Sequence, residues 1–381
     1  MKEVAIIGVG SSIFGKFPTK SVTEMGREAV QAAIHDANID KKEIQLAYSS
    51  SVFGGAVLGQ RILNEVGISG IEVFNVENAC AGGATAFRGV WYSIASGLYD
   101  VGLAFGVESM TTSPIAGKLI PPEKGDLQGQ FGNNMPAHFA FAMRRHMEKY
   151  GTTPEQFAKI SVKNHHNGSL NPYSQYKEEL TVEEILGSRM ICDPITLLQC
   201  CPNSDGAAAA VLCPMDRAKK YTSKRVSVAA SVLKMGDYEY RWNDLATSDL
   251  GAKCAKEAYE MAGCGPEDID VCELHDAFTY SEIAHYEELG FCPLGEGGRL
   301  IDEGVTKIGG KVAVNPSGGL LAKGHPVSAT GVAQIAEIVW HLRGEAGERQ
   351  QPDAKVGLAH TMGGEVSNIE CGACAIHILK R

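Results

Sequence analysis

One cysteine in the first half of the chain stands where a nucleophile could form. Cys80 lies in the segment Glu77-Asn-Ala-Cys-Ala-Gly-Gly, after an apolar stretch and before residues that predict a buried helix with small side chains in its first turn. Backbone N–H groups and the positive end of the helix dipole at such a position favour a thiolate and can hold an oxyanion. The position therefore suits covalent catalysis, although a buried, inert cysteine fits it equally well.

Two histidines occupy positions from which they could serve that thiol. His325 ends the glycine-rich segment Asn315-Pro-Ser-Gly-Gly-Leu-Leu-Ala-Lys-Gly-His, before a helix predicted over residues 332–343. His275, in Glu273-Leu-His-Asp-Ala-Phe, ends a predicted core strand at the carboxyl edge, where ligands of α/β sheets gather. A thiol with two imidazoles provides a nucleophile, a base and an oxyanion donor.

The elements that must position these residues repeat within the chain. Residues 33–46 align with residues 258–271, as an amphipathic helix ending near Asn38 or Gly263 followed by an apolar strand. Residues 78–83 then align with 315–320, and 102–104 with 357–359. Three matches in the same order indicate a duplication, and a two-fold relation between the halves can bring Cys80 and His325 face to face.

Each half predicts strands that alternate with helices, which is typical of α/β layers. The predicted strands of the first half cover residues 4–8, 46–52, 73–76, 101–107 and 207–213, and those of the second cover 226–233, 270–274, 311–314, 356–359 and 371–379. Residues of roughly 110–200 have no counterpart in the second half and predict an inserted loop domain, with helices over 137–150 and 154–163. We expect an N-terminal half over 1–220 and a C-terminal half over 221–381.

Composition excludes several classes of protein. The 381 residues carry a formal net charge of -10, without a Lys/Arg run and without a stretch of 18 apolar residues. We therefore expect neither a nucleic-acid surface nor a membrane span. The start of the chain lacks the features of a secretory signal, and the eleven cysteines show no disulfide-framework spacing, which is typical of a reducing compartment. The prediction is a cytoplasmic protein.

Two cysteine groupings could indicate a metal or redox site. Cys371 and Cys374 form a CxxC in a predicted terminal strand, where residues three apart point to opposite faces. Cys200 and Cys201 have no second pair at zinc-ligand spacing. We therefore interpret both groupings as packed strand and loop residues, and we predict no metal site.

These motifs together resemble the thiolase superfamily, in particular the branch similar to sterol-carrier-protein-2 thiolase. The resemblance extends over essentially the whole chain and includes the closing segment Met362-Gly-Gly. It implies a five-layered αβαβα fold of two duplicated halves with an inserted loop domain that binds coenzyme A. It also implies a homodimer, with coenzyme A as a substrate and no permanently bound cofactor.

The resemblance also implies roles for individual residues. Cys80 would be the acylated nucleophile, and His325 would activate it and help to hold the thioester oxygen. His275 stands where this branch replaces the asparagine of conventional thiolases, so it would contribute to an oxyanion hole. The backbone N–H groups of Cys80 and Gly363 would form the hole for the acyl-enzyme.

The chain departs from the family pattern at two positions. Conventional thiolases carry a second, acid/base cysteine where this chain has Thr361, and the sterol-carrier branch carries it where this chain has Ala277. Either another group moves the proton, with His275, Ser328 and Tyr280 as candidates, or the substrate releases a stabilised carbanion. Chains of this pattern often resemble subunits that work beside a small zinc-ribbon/OB-fold protein, so a hetero-oligomer is a further expectation.

Three functions fit this sequence. The first is thiolytic cleavage of a 3-oxoacyl-CoA, or the reverse Claisen condensation, through a Cys80 acyl-enzyme. The second is acyl transfer or aldol chemistry on the same fold with a non-standard acyl-CoA. The third is a non-catalytic acyl-CoA-binding subunit, which the retention of Cys80, His275 and His325 disfavours. We expect the first, an acyl-CoA C-acyltransferase.

Overall fold

Ten of the strands form one mixed sheet that runs through both halves of the chain. The computed structural model describes residues 1–116, 118, 121, 124–237, 244–366 and 370–381. The strands in these residues are β1 (Val4–Ser11), β2 (Leu46–Ser50), β3 (Glu72–Val76), β4 (Gly102–Ser109), β5 (Met190–Cys192), β6 (Ile195–Thr196), β7 (Asp205–Pro214), β8 (Val226–Lys234), β9 (Val271–Glu273), β10 (Ala313–Val314), β11 (Val356–Val366) and β12 (Glu370–Lys380). Strands β5 and β6 form a separate small hairpin.

The order of the strands confirms the duplication. The sheet runs β10-β9-β11-β12-β8-β1-β7-β4-β2-β3, so each half has the order third, second, fourth, fifth, first. In each half the second strand is parallel to both of its neighbours, and the remaining pairs are antiparallel. The halves join where β1 pairs with β8, through Ala5 opposite Ser227 and Ile6 opposite Val226.

Helices cover the sheet and build the insertion. They are α1 (Val22–Ala37), α2 (Leu58–Val66), α3 (Gly82–Ala95), α4 (Leu127–Gln130), α5 (Met135–Tyr150), α6 (Pro154–Leu170), α7 (Val182–Leu186), α8 (Met215–Ala218), α9 (Asp249–Ala262), α10 (Thr279–Glu288), α11 (Gly297–Asp302), α12 (Gly319–Ala322) and α13 (Val327–Arg343). The matched helices α1 and α9 end at Asn38 and Gly263, as predicted, and both residues adopt the left-handed conformation that stops a helix.

Three hydrophobic clusters divide the protein into five layers. One packs α1 and α2 against the outer face of the first half-sheet, and another packs α9 and α10 against the outer face of the second. The third lies between the half-sheets and contains α3 and α13, with Phe87, Trp91, Ile335 and Val339 among its buried side chains. Nearly all residues of α13 are buried, because other elements pack on every side of this helix. The αβαβα arrangement is therefore confirmed.

All ten predicted strands of the two halves are present, with ends that differ by up to several residues. The insertion contains α4 to α7, of which α5 and α6 correspond to the two predicted helices. It also contains the β5–β6 hairpin, which the sequence did not predict. The polar run after residue 163 does not end α6, which continues to Leu170 because Asn164, His165 and Asn167 are buried against neighbouring elements. Five residues between 117 and 123 of the predicted insertion lie outside the described residues. The boundary between residues 220 and 221 stays a prediction.

No helix in the described ranges is both long enough and apolar enough to cross a membrane.

Gly106 tests how tightly β4 packs on the central layer. A Cβ atom at this position would lie 2.0 Å from the Ser328 carbonyl oxygen of α13, whereas one on Gly125 would meet nothing within 4 Å. Gly106→Ala should therefore lower the free energy of unfolding by about 1–3 kcal/mol through overpacking, and Gly125→Ala should change it little. Chemical denaturation measures both variants. Equal unfolding midpoints for the two would contradict the packing described here.

Candidate active site

Cys80 lies on a short 3₁₀ helix, Ala79–Ala81, which leads directly into α3. The Asn78 side-chain amide donates to Thr85 Oγ1 at 2.8 Å, and Thr85 Oγ1 donates to the Ala81 carbonyl at 3.0 Å. Ala79 has a φ of 47°, which is uncommon for a residue with a side chain. The turn is therefore held in a fixed, sparsely populated conformation that presents the Cys80 thiol at the N-terminus of α3.

The equivalent turn of the second half brings His325 to this thiol. His325 Nε2 lies 3.2 Å from Cys80 Sγ, across the interface between the halves. The backbone N–H of His325 donates to Ser204 Oγ at 3.0 Å. Gly324, with a φ of 109°, has no room for a side chain because a Cβ would lie 2.5 Å from the same oxygen. The contacts with Ser204 thus fix the backbone from which the His325 imidazole projects.

Thr330 determines which nitrogen of His325 carries the proton. Thr330 Oγ1 lies 2.8 Å from His325 Nδ1 and donates its single hydrogen to the Pro326 carbonyl at 3.2 Å. The hydroxyl must therefore accept from the imidazole, so we assign the proton to Nδ1. Nε2 then has a free lone pair that accepts from the Cys80 S–H group. This is the arrangement that a general base for the thiol requires.

Burial makes both partners of this contact neutral. Removal from water, with a contribution from Cys371, raises the pKa of the Cys80 thiol to about 12. Removal from water also lowers the pKa of His325 to about 3. The expectation from the sequence that the helix N-terminus favours a thiolate is therefore not met, because burial raises the thiol pKa by more than the backbone hydrogen bond at Cys80 lowers it. The resting pair is a thiol hydrogen-bonded to an imidazole.

His275 completes the group of side chains. Its ring packs edge-on against His325 with 5.1 Å between the centroids. Burial, together with His325, holds the pKa of His275 well below its ordinary value, so the ring is neutral. Cys80, His275 and His325 each place a thiol sulfur or ring nitrogen within 4.8 Å of the others. The structure thus brings together the three side chains that the sequence singled out.

Gly363 lies on β11 beside the Cys80 turn. A Cβ on this residue would lie 2.2 Å from the Asn78 carbonyl oxygen and 2.5 Å from the Ala81 nitrogen. Only glycine allows this approach of two backbones. The backbone of Gly363 is therefore next to that of the Cys80 turn, as an oxyanion hole formed by both would require.

A buried polar network that sequence analysis missed supports the two histidines. Asp276, directly after His275, accepts from the Leu320 N–H at 2.7 Å and from the Asn164 side chain at 2.8 Å. Glu282 accepts from the side chains of Asn164 and Asn315 at 2.8 and 2.7 Å. Asn315 Oδ1 in turn accepts from the Leu274 N–H at 2.9 Å. The internal repeat includes Asn315, and Asp276 directly follows His275 in the sequence. Their role could not be predicted, because some of their partners, such as Asn164, lie far away in the sequence.

Two further cysteines lie near Cys80, which sequence analysis did not predict. The Cys201 N–H donates to the Ala277 carbonyl at 2.9 Å, and the Cys80 thiol is among the groups that raise the Cys201 pKa, after burial and Cys200. Cys371 Sγ lies 3.5 Å from the Gly363 carbonyl oxygen. Cys374 instead packs against Cys254, so the CxxC cysteines do point to opposite faces.

Tyr280 and Thr361, which sequence analysis considered for acid/base chemistry, have partners of their own. The Tyr280 hydroxyl donates to the Leu245 carbonyl at 3.2 Å. Thr361 Oγ1 donates to Gln334 Oε1 at 2.6 Å. Ser328 Oγ is buried and has no hydrogen-bond partner among the described residues. Tyr280 and Thr361 are therefore engaged elsewhere, and of the two remaining candidates, His275 and Ser328, His275 packs directly against His325.

Thr330→Val tests the role of the threonine hydroxyl. The substitution keeps the shape of the side chain but removes the acceptor for His325 Nδ1–H, so the ring loses the bond that fixes its tautomer. Thr330→Ser keeps a hydroxyl and is the control. We expect the rate of acyl transfer to fall on the order of 10²-fold in the valine variant, with much smaller change in the serine variant. Similar rates for both variants would remove Thr330 from this role.

The pH dependence of Cys80 alkylation tests the neutral pair. A raised thiol pKa means that the thiolate fraction grows about tenfold per pH unit below that pKa. Modification of Cys80 by iodoacetamide, followed by peptide mass spectrometry, should therefore accelerate continuously from about pH 6 to about pH 10. A plateau around neutral pH would instead indicate a preformed thiolate–imidazolium pair.

Comparisons with known proteins agree with this architecture over the whole chain. Residues 4–216 match the family model for the thiolase N-terminal domain, and residues 238–376 match the thiolase C-terminal domain-like model. A similar solved structure, the Ltp2-ChsH2(DUF35) aldolase, has a TM-score of 0.85 at 25% identity and covers 98% of this chain and 97% of that chain.

Curated relatives extend the likeness. The chain is 41% identical to an acetyl-CoA acetyltransferase of Methanothermobacter thermautotrophicus, with 100% of both chains covered. It is 42% identical to sterol carrier protein 2 of Bos taurus, covering 95% of this chain and 70% of that protein. It is 38% identical to the benzoylsuccinyl-CoA thiolase subunit BbsB of Thauera aromatica, with 95% of both covered. The chain therefore belongs to the thiolase family, and it is an acyltransferase enzyme.

Proposed function

We propose that this acyltransferase cleaves a 3-oxoacyl-CoA, or forms one by Claisen condensation, through an acyl group carried on Cys80. Coenzyme A would be the acyl acceptor and therefore a substrate rather than a resident cofactor. The observation that carries the proposal is the 3.2 Å contact between Cys80 Sγ and an unprotonated His325 Nε2. This contact provides a nucleophile and its base, already aligned, at a helix N-terminus.

In the first step, His325 Nε2 takes the proton of Cys80 as the sulfur attacks the 3-oxo carbon of the substrate. The S–C bond forms, and the electron pair of the carbonyl moves to its oxygen. The backbone N–H groups of Cys80 and Gly363 would stabilise that oxyanion. Because the thiol is neutral at rest, proton removal accompanies the attack instead of preceding it.

Collapse of this adduct then breaks the carbon–carbon bond. The carbonyl re-forms on the acyl-enzyme, which carries the shortened acyl chain, and the electron pair leaves with the acetyl-CoA fragment as its enolate. A neutral His275 can donate an N–H hydrogen bond to the enolate oxygen, but it has no spare proton, because burial keeps its pKa low. The proton that reaches the carbon is therefore the one that His325 removed from Cys80.

Coenzyme A completes the cycle by the same route. His325, neutral again, accepts the proton of the CoA thiol as that sulfur attacks the acyl group on Cys80. A new thioester bond forms, the bond to Cys80 breaks, and the departing Cys80 sulfur recovers the proton from His325. One imidazole thus serves both half-reactions, with no net change in protons.

Aldol chemistry, or acyl transfer with a non-standard acyl-CoA, is the second candidate. It is favoured by the absence of a cysteine at positions 277 and 361, where Ala277 and Thr361 stand, and by the similarity to the Ltp2-ChsH2(DUF35) aldolase. Such reactions need less assistance in protonating a carbanion. They would use the same side chains of Cys80, His275 and His325 without requiring free coenzyme A as the acceptor.

The assembly is also part of the proposal. Strand β3 lies at the edge of the sheet with Phe74 41% exposed, and pairing with β3 of a second copy would cover it in a homodimer. A zinc-ribbon/OB-fold partner is supported by the DUF35 component named with the aldolase and by the word subunit in the name of the Thauera protein.

Product analysis separates the two candidate reactions. With free CoA, a panel of 3-oxoacyl-CoAs should give a shortened acyl-CoA and acetyl-CoA over many turnovers; without CoA, at most one equivalent of acetyl-CoA per enzyme should be released as Cys80 is acylated. Cys80→Ser should give neither product, since its hydroxyl lacks a comparable anion population. Chromatography of the thioesters measures both. Carbon–carbon cleavage that continues through many turnovers without CoA would overturn thiolysis in favour of aldol chemistry.

Substrate discrimination tests the single-base scheme. With one imidazole moving both protons, acetoacetyl-CoA, which releases a poorly stabilised enolate, should react far more slowly than a 3-oxoacyl-CoA with an aryl or carboxyl substituent. General acid/base help is worth on the order of 10²–10⁴ in rate, so Ala277→Cys should narrow this gap. Steady-state kcat/KM gives the ratio.

The two native thiols near the site provide the controls for that measurement. Cys201→Ala and Cys371→Ser should leave the ratio between the substrates unchanged. If either variant widens the gap severalfold, or if the wild-type enzyme cleaves all substrates equally well, a second acid/base is already present.

A further inference from the structure

We propose that Cys80, His275 and His325 also form a binding site for a zinc-like divalent metal ion, and that this ion holds the enzyme in a reversibly inhibited state. The three side chains come from three separate segments of the chain, and each presents an atom of a type that zinc prefers, one thiol sulfur and two imidazole nitrogens. The site itself needs only these side chains. Its inhibitory consequence rests on the proposed acyl transfer at Cys80.

The spacing of the ligand atoms suits a tetrahedral ion. Bonds of about 2.3 Å to sulfur and about 2.0–2.1 Å to nitrogen place tetrahedral ligand atoms about 3.3–3.7 Å apart. The ligand atoms of the three residues lie within 4.8 Å of one another, and Cys80 Sγ is 3.2 Å from His325 Nε2. Small side-chain rotations are therefore enough to enclose an ion.

The hydrogen bonds around the site leave lone pairs for a metal. Thr330 binds the Nδ1 side of His325, which directs the Nε2 lone pair towards Cys80 and acts as the outer contact that metal-bound histidines usually have. His275 is 7% exposed, and its Nδ1 has no hydrogen-bond partner within the described residues. A buried ring nitrogen without a partner is costly, and a metal bond to Nδ1 would offset that cost.

Charge also favours the ion once it enters. Binding replaces the hydrogen of the Cys80 S–H group, so that a metal–sulfur bond forms and one proton leaves to solvent. The site then carries one net positive charge. The carboxyl groups of Glu108 and Glu77 lie close enough to affect the Cys80 thiol electrostatically, and they would attract that charge. Three protein ligands leave the fourth position open to water.

A cobalt titration tests the site directly. After treatment with EDTA and its removal, Co²⁺ added to the full-length protein should produce a thiolate-to-cobalt band in the near ultraviolet and the intense visible bands of a four-coordinate ion. Cys80→Ser should abolish the near-ultraviolet band, and His275→Asn should weaken binding at least tenfold. Cys371→Ser, which removes a neighbouring thiol, should bind as the wild type does.

Absence of the band in the wild type, or its persistence in Cys80→Ser, would overturn the proposal. An inhibition assay then tests the metal site and the proposed acyl transfer separately. Single-turnover acylation in EDTA tests the proposed function alone, and Zn²⁺ should block that acylation until EDTA is restored. A cobalt band without acylation in EDTA would refute the proposed function and leave the site; acylation that Zn²⁺ does not affect would refute the inhibition.

Discussion

The contact between Cys80 Sγ and His325 Nε2 is the constraint on which the rest of this structure depends. Its two atoms belong to opposite halves of the chain, 245 residues apart, and lie 3.2 Å from each other. Such an alignment requires that α3 and α13 pack rigidly in the central layer. Gly106 illustrates this packing, because the backbone of α13 occupies the space that a side chain at position 106 would need. The duplicated fold thus brings the Cys80 turn of one half into contact with the His325 turn of the other.

Burial decides the chemistry of that contact. A charged thiolate–imidazolium pair would have to be removed from water, which costs more than a neutral hydrogen bond between the same groups. The pKa of Cys80 rises to about 12 and that of His325 falls to about 3, in agreement with a neutral pair. In the proposed mechanism the same neutrality leaves His275 without a spare proton, so that His325 would carry the proton in both half-reactions. It also leaves lone pairs that a metal ion can use.

The polar network beneath the site shows what the surrounding structure contributes. Lys163 pairs with Glu282 at 2.9 Å, with both side chains almost fully buried. Buried pairs of this kind add little net stability, and their value here lies in fixing Asn315 and Asp276, which hold the loops that carry the histidines. Removal of one partner would leave a charge uncompensated in the interior, so the network favours a single arrangement of the site.

The sequence predicted most of the fold because the duplication supplied two copies of each signal. The helix ends at Asn38 and Gly263 and the meeting of Cys80 with His325 follow from matching the halves, and the ten strands follow from the apolar stretches that alternate with helices in each half. The neutral state of the pair could not be predicted, because it depends on burial in three dimensions. Nor could the approach of Cys201 and Cys371 to Cys80, since both come from segments that no motif connects with it. The small hairpin β5–β6 also lacked any periodic signal.

The most direct test of this account is the location of the acyl group during turnover. The enzyme would be mixed with a 3-oxoacyl-CoA without free CoA, quenched in acid, digested and examined by tandem mass spectrometry. The account predicts an acyl adduct on Cys80 that disappears when CoA is added and fails to form in His325→Ala at a comparable rate. Turnover without any adduct on Cys80, or an adduct on another of the eleven cysteines instead, would contradict it.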